Sequence, residues 1–189
     1  MRISSKILEV NRQKLLLAFP IDLKQDVEIV SEFLLDKNLK IDSISEQDIL
    51  LNGQKLIIPR RVYFDISSVQ FNNTLTNTQQ TILNCIYLRH HNGFVRQEGL
   101  EKLISNAEDY YIIPYIFQIL GEYVVALLEI ADKHINENTI DNYLKFCIEN
   151  PKYRKLTESR MISYWDAYYR RTKFKNLNDY LGRQIFNKL

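Results

Sequence analysis

Hydrophobic positions give the first part of the chain two different patterns. Residues 23–34 place apolar side chains at the spacing of one helix face. Apolar runs then flank Asn52 and Gly53, a dipeptide that strongly favours a two-residue hairpin turn. Residues 62–64 can add an edge strand. We therefore predict one helix and one small hairpin, rather than a full sheet, in this part of the chain.

From about residue 78 to the C-terminus the apolar residues recur at helical spacing, which predicts consecutive short helices. Thr78 is the predicted N-cap of the first of them. Gly93 and Gly121 fall between successive helices, where a tight turn needs them. The pattern therefore predicts a mainly α fold.

Two parts of the chain are predicted to fold as separate elements. Residues 67–78 are rich in Ser, Asn and Thr, which is typical of a linker. We therefore predict a small α+β N-terminal element over residues 1–72 and a helical domain over residues 73–189.

Two helix–turn–helix pairs within residues 78–134 resemble the HEAT-type helical repeat family. The sequence from Val95 to Leu103 is similar to the Val-Arg…Ala…Leu pattern of that family's second helix, with Gly99 where the family usually has Ala. The second pair has Val125 in place of the Arg. The resemblance implies a right-handed, HEAT-like stack of helix pairs, which is a scaffold for binding rather than for chemistry.

Residues 110–131 are apolar enough to be compared with a membrane span. A spanning helix needs about 20 apolar residues, but Gln118, Gly121 and Glu122 lie in the middle of this segment. A central carboxylate disfavours insertion by about 2–3 kcal/mol. We therefore predict two short helices that meet at Gly121, and no membrane association.

The termini and the cysteines indicate a cytoplasmic protein. The N-terminal apolar run of residues 15–19 is short and ends at Pro20, which does not fit a secretory signal. Cys85 and Cys147 are the two cysteines, and both lie in apolar stretches. We predict that they are buried free thiols, as in proteins of a reducing compartment.

Signatures of catalysis do not occur in the sequence. The chain has five glycines and contains no nucleophile elbow, phosphate-binding loop or dinucleotide fingerprint. His90 and His91 are adjacent, and neighbouring helical residues point about 100° apart, so they suit the polar end of a helix better than a metal site. We predict no enzymatic activity, no catalytic residues, no metal and no cofactor.

Charge is distributed unevenly along the chain. Residues 98–151 hold 3 basic and 10 acidic side chains, whereas residues 152–189 hold 10 basic and 3 acidic ones. The equal and opposite net charges favour docking of the C-terminal segment beside its own acidic neighbour. A nucleic-acid-binding arm is the alternative interpretation.

The basic C-terminal segment is also aromatic. Met161, Tyr164, Trp165, Tyr168 and Tyr169 follow helical spacing. This predicts a helix from Pro151 to about Arg171 that anchors Trp165 in the core. Aromatic and basic side chains together can also bind a partner or a nucleic acid. The candidate partner-binding residues are Arg160, Tyr164, Tyr168, Arg170, Arg171 and Lys173.

These patterns favour a non-enzymatic protein-interaction module, either an adaptor or a stoichiometric inhibitor, with a protein partner. The alternative is a nucleic-acid-binding accessory protein that uses the basic aromatic C-terminal helix. An enzyme without a recognisable signature is the third hypothesis.

Overall fold

The computed structural model describes residues 5–35, 37–42, 46–65, 75–106 and 109–189. The chain divides into two compact units, Met1–Gly99 (unit 1) and Leu100–Leu189 (unit 2). The predicted boundary after residue 72 and most of the predicted linker lie outside the described residues.

Unit 1 begins with two helices, α1 (Ser5–Leu17) and α2 (Lys24–Leu35), which pack against each other. A 3-10 turn at Ile21–Leu23 joins them. α2 buries Val27 and Val30, as its apolar spacing predicts. The core of the unit is formed by α1, α2, the strands and α3 (Asn77–Tyr87), and its buried side chains include Leu15, Val30, Leu39, Leu56, Ile58 and Ile82.

The predicted hairpin is confirmed. β2 (Glu46–Leu51) and β3 (Gln54–Pro59) pair antiparallel, with Leu51 opposite Gln54. Asn52 and Gly53 form the turn with φ angles of 53° and 79°. Positive φ at both central residues matches the right-handed twist of the strands, and Asn and Gly tolerate it best.

A second two-stranded sheet joins β1 (Lys40–Ile41) to β4 (Val62–Tyr63), also antiparallel. The Val62 N–H donates to the Arg89 carbonyl at 2.9 Å, and the His91 N–H donates to the Val62 carbonyl at 3.1 Å. The predicted strand near residue 62 is therefore confirmed. The described strands form two small ribbons and no larger sheet.

Helix α3 is followed by α4 (Gly93–Asn106), which begins in unit 1. Thr76 caps α3 through a capping box with Gln79, two residues before the predicted cap position. Gly99 lies directly against α3, because a Cβ atom there would be 2.8 Å from the Tyr87 Cβ. This close approach explains why a residue without a side chain stands at position 99.

The regular secondary structure described in unit 2 is all helical, and it includes the C-terminal part of α4. Its other α-helices are α5 (Ile113–Ile119), α6 (Val125–His134), α7 (Ile140–Glu149), α8 (Pro151–Tyr168) and α9 (Leu181–Phe186). The predicted break near Gly121 is confirmed by the end of α5 and the start of α6. In the part of the chain that the structure describes, no helix is long and apolar enough to span a bilayer.

Four helices of unit 2 each supply one ring to a buried aromatic group, which we call the aromatic core: Phe117, Phe146, Tyr153 and Phe186. Phe117 is its centre, with ring centroids 5.2 Å from Phe146, 5.8 Å from Tyr153 and 5.9 Å from Phe186. Such pairs add to the stability that burial of the rings provides. The aromatic core therefore joins α5, α7, α8 and α9.

Glycines let the chain approach α8 closely at two places. A Cβ atom on Gly182 would lie 2.8 Å from both the Met161 Cγ and the Tyr180 Cε1. A Cβ atom on Gly121 would lie 3.1 Å from the Thr157 Cγ2. Helix α9 and the turn after α5 therefore pack more tightly on α8 than a larger residue would permit.

The cysteines are buried, as predicted. Cys85 lies in α3 of unit 1 and Cys147 lies in α7 of unit 2, and both are free thiols. Burial raises the pKa of the Cys147 thiol to about 11. This thiol is therefore protonated at neutral pH.

The mainly helical fold with a small N-terminal helix-and-hairpin element is confirmed. Helices α3 and α4, and then α5 and α6, follow one another along the chain. The resemblance to a HEAT-type repeat and a HEAT-like stack of these helices stay predictions.

Candidate partner-binding surface

Residues 169–175, which we call the basic turn, fold back over the C-terminal end of α8. The helix ends at Tyr168 rather than near Arg171 as predicted, because the N–H groups of Tyr169 and Arg170 both donate to the Trp165 carbonyl at 2.9 Å. The Phe174 N–H then donates to the Tyr169 carbonyl at 3.1 Å. These bonds reverse the chain within one short segment.

Trp165 holds the basic turn in place. Its Nε1–H donates to the Phe174 carbonyl at 2.8 Å, and the Arg170 guanidinium lies 5.7 Å from the ring centre. The prediction that Trp165 is anchored in the core is wrong, since its side chain is only partly buried. Met161 and Tyr180 are the buried residues of this region.

An aromatic stack fixes the inner side of the turn. Tyr169 lies 5.3 Å from Tyr180 and 5.7 Å from Phe174, measured between ring centroids. The Tyr169 hydroxyl donates to the Tyr123 carbonyl, and burial raises the pKa of Tyr169 above its ordinary value. The turn is therefore tied to the helix, to Tyr180 and to the segment after α5.

Three tyrosines form a group at the surface, which we call the tyrosine cluster: the exposed Tyr123 and Tyr168 and the partly buried Tyr164. The rings of Tyr123 and Tyr168 stack at 5.0 Å with 24° between their planes. Tyr164 lies 5.6 Å from Tyr123 and 6.1 Å from Tyr168. Tyr123 is 46% exposed and Tyr168 is 53% exposed. The cluster presents aromatic area and polar hydroxyls to solvent at the same place.

The two acidic residues of α8 already have cationic partners. Arg170 pairs with Asp166 at 2.8 Å, and Glu158 pairs with Arg183 at 2.6 Å and with Arg154 at 3.5 Å. Six other cations of the C-terminal segment make no ion pair with any described residue: Lys152, Lys155, Arg160, Arg171, Lys173 and Lys175. Lys173 instead lies 5.2 Å from the Phe174 ring centre. The basic turn therefore carries charge that its own segment does not neutralise.

Helix α8 docks beside the acidic part of unit 2, as predicted. It packs against α7, and Lys188 near the C-terminus pairs with Asp132 of α6 at 2.6 Å. Tyr153 of α8 also lies 5.8 Å from Phe117 and 6.1 Å from Phe146, measured between ring centroids. The unpaired cations of the basic turn do not take part in this docking.

The six candidate residues fall into three places. Tyr164 and Tyr168 belong to the tyrosine cluster, and Arg160 lies one helical turn before Tyr164 on α8. The basic turn contains the remaining three candidates, which are Arg170, Arg171 and Lys173. Sequence reasoning missed Tyr123, because it lies far from α8 along the chain and no local pattern distinguishes it from a core tyrosine.

The two adjacent histidines have separate surroundings. His90 is buried, its Nε2 bonds to the Phe64 carbonyl at 3.2 Å, and the Asn92 N–H donates to its Nδ1 at 3.1 Å. Burial lowers the pKa of His90. His91 instead stacks on Tyr63 at 5.0 Å. His90 is therefore a neutral, hydrogen-bonded core residue rather than part of a polar helix end.

A second buried histidine joins the end of α6 to α7. The His134 Nδ1 and the Tyr143 hydroxyl share a hydrogen bond of 2.8 Å, and the Thr139 hydroxyl donates to the His134 carbonyl. Burial raises the pKa of Tyr143 well above its ordinary value. Within the described ranges, no three His, Cys, Asp or Glu side chains are placed to hold a metal ion.

Comparisons of the chain with protein-family models, with curated proteins and with solved structures return no match. The tyrosine cluster and the basic turn are therefore interpreted from their own geometry.

Proposed function

We propose that the protein is a non-enzymatic protein-interaction module, an adaptor or a stoichiometric inhibitor, that binds its partner through the tyrosine cluster and the basic turn. The observation that carries this proposal is the stacked Tyr123–Tyr168 pair, which is about half exposed. Tyr168 lies directly before the basic turn along the chain, where Arg171 and Lys173 make no ion pair with any described residue. In this proposal the protein acts in the cytoplasm, in keeping with two free thiols.

Rigidity of the surface supports a binding role. Tyrosine and arginine are enriched in the centres of protein interfaces, because they bury a large area and keep a polar group for hydrogen bonding. A surface that is ordered before binding loses less conformational entropy on association. The hydrogen bonds of Trp165 to Phe174 and of Tyr169 to Tyr123 provide that order here.

The proposed scaffold is a short HEAT-like stack of helices. Its support is the order of the pairs α3–α4 and α5–α6 and the tight approach of Gly99 to α3. Repeat scaffolds of this kind present side chains of successive helices on an extended surface.

A nucleic-acid-binding accessory protein is the second candidate, favoured by the cations beside exposed tyrosines. Two observations make it weaker. Residues 100–189 hold 13 basic and 12 acidic side chains, so unit 2 offers little long-range attraction for a polyanion. The ring of Trp165, the best base-stacking side chain of the segment, lies under the Arg170 guanidinium.

Affinity capture tests the proposed function. The full chain is immobilised and exposed to an extract of the cells that produce it, and is compared with Tyr164→Ala/Tyr168→Ala. The control is Ile148→Ala, since Ile148 is 80% exposed on α7 and lies outside the proposed surface. The melting temperatures of the native chain and both variants are measured first, so that a loss of capture cannot come from unfolding.

We expect the native chain and the control to retain the same protein and the double variant to lose it. Nuclease treatment of the extract should leave capture unchanged. Equal retention by all three chains, or capture that nuclease abolishes, would contradict the proposed function.

A further inference from the structure

We propose that the basic turn binds a carboxylate-rich segment of the partner protein, while the tyrosine cluster packs on apolar side chains next to those carboxylates. This inference rests on the proposed function and adds the chemistry of the partner.

The charge balance of the C-terminal segment is the first argument. Asp166 and Glu158, the acids of α8, are already engaged by Arg170, Arg183 and Arg154. No described acid pairs with Arg171, Lys173 or Lys175, so a partner that brings carboxylates supplies the missing counter-charges.

The fixed conformation of the turn is the second argument. Thr172 donates its hydroxyl to the Tyr168 carbonyl, and Phe174 stacks on Tyr169 and Tyr180. Phe174 is partly buried, whereas Arg171, Lys173 and Lys175 are exposed. The backbone that carries these three cations is therefore ordered before binding, which favours binding of a short anionic segment.

The charges and apolar rings near the basic turn favour binding of a protein segment over binding of a nucleic acid. A long polyanion placed on the turn would also meet the field of the acidic residues that precede α8, where residues 100–151 hold 3 basic and 9 acidic side chains. A protein segment concentrates its negative charge over a few residues and offers apolar side chains to the tyrosine cluster. Because the basic turn directly follows Tyr168 of the tyrosine cluster along the chain, we expect a peptide that carries both carboxylates and apolar side chains.

Fluorescence anisotropy with the full-length chain tests this inference. The probes are a labelled glutamate–leucine peptide, a glutamine–leucine peptide of the same length, and an oligothymidylate. The variant is Arg171→Gln/Lys173→Gln. The matched control is Lys152→Gln/Lys155→Gln, which removes two exposed cations from the first turns of α8, at the end of the helix far from the basic turn.

We expect the glutamate–leucine peptide to bind, the glutamine–leucine peptide to bind much more weakly, and the affinity to fall as salt is added. The Arg171→Gln/Lys173→Gln variant should bind the acidic peptide on the order of tenfold more weakly, and the control should match the native chain.

Several results would overturn the inference. They are equal binding of the two peptides, an equal loss in the control variant, tighter binding of the oligothymidylate, and self-association of the chain at low salt that excludes the peptide. If these occur while Tyr164→Ala/Tyr168→Ala still abolishes capture of a protein, only the acidic chemistry is wrong. If that variant retains the captured protein, the proposed function fails as well.

Discussion

The aromatic core and the tyrosine cluster share one helix and nearly one contact geometry, but their exposure differs. Helix α8 contributes Tyr153 to the core and Tyr164 and Tyr168 to the cluster, and neighbouring rings in both groups lie about 5–6 Å apart. The rings of the core are buried, whereas Tyr168 is mostly in contact with solvent. The comparison teaches that ring stacking alone does not identify the role of an aromatic group: its exposure and the charges around it do.

Removing the central ring of the aromatic core should have the largest effect. Phe117→Ala leaves a cavity among three other rings, and we expect the free energy of unfolding to fall by about 3–5 kcal/mol. Urea denaturation of the full chain measures this free energy of unfolding. Phe94→Ala is the control, because Phe94 is 84% exposed, and it should change stability by less than about 0.5 kcal/mol. Equal losses in the two variants would remove the distinction between buried and exposed rings.

Adding a methyl group between α9 and the buried side of α8 should have an intermediate effect on stability. Gly182→Ala places a Cβ atom 2.8 Å from Met161 and Tyr180, and we expect a loss of about 1–3 kcal/mol in the free energy of unfolding. Gly93→Ala is the matched control, since its new Cβ would meet only the end of the Arg96 side chain at 3.7 Å. A Gly182→Ala protein as stable as the Gly93→Ala protein would show that α9 does not pack closely on α8.

The smallest effect on stability is expected at the boundary between the two groups. Trp165→Phe removes the hydrogen bond to the Phe174 carbonyl and should lower the free energy of unfolding by about 1 kcal/mol. Amide hydrogen exchange should become faster in the basic turn and stay unchanged in the aromatic core. Tyr164→Phe is the control and should alter neither. Unchanged exchange in the turn of the Trp165→Phe protein would mean that Trp165 does not hold the turn.

Features that depend on local chemistry could be predicted from the sequence. The Asn52–Gly53 turn requires positive φ at two residues, and few residue pairs accept that. Pro151 begins α8 because its fixed φ suits the first helical position. The start of α3 is predicted only approximately: the pattern indicates a cap at Thr78, whereas Thr76 and Gln79 form the capping box.

Features that depend on distant contacts could not be predicted in the same way. Helix α1 was not predicted, because its apolar residues serve both a buried face with Leu15 and an exposed face with Val10 and Leu17. Trp165 follows the helical spacing of a core residue, but the returning Phe174 carbonyl holds it near the surface. Tyr123 joins the tyrosine cluster only through the folded chain, so the candidate residues named from the sequence lack one of the three rings of that cluster.

Each unit contains one buried thiol, whose reaction with a thiol reagent reports unfolding of that unit. Because Cys85 lies in unit 1 and Cys147 lies in unit 2, a thiol reagent can modify each only when its surroundings open. The raised pKa of Cys147 slows reaction further until that thiol reaches water. Separate labelling rates at the two positions would therefore measure how independently the units unfold, without any engineered probe.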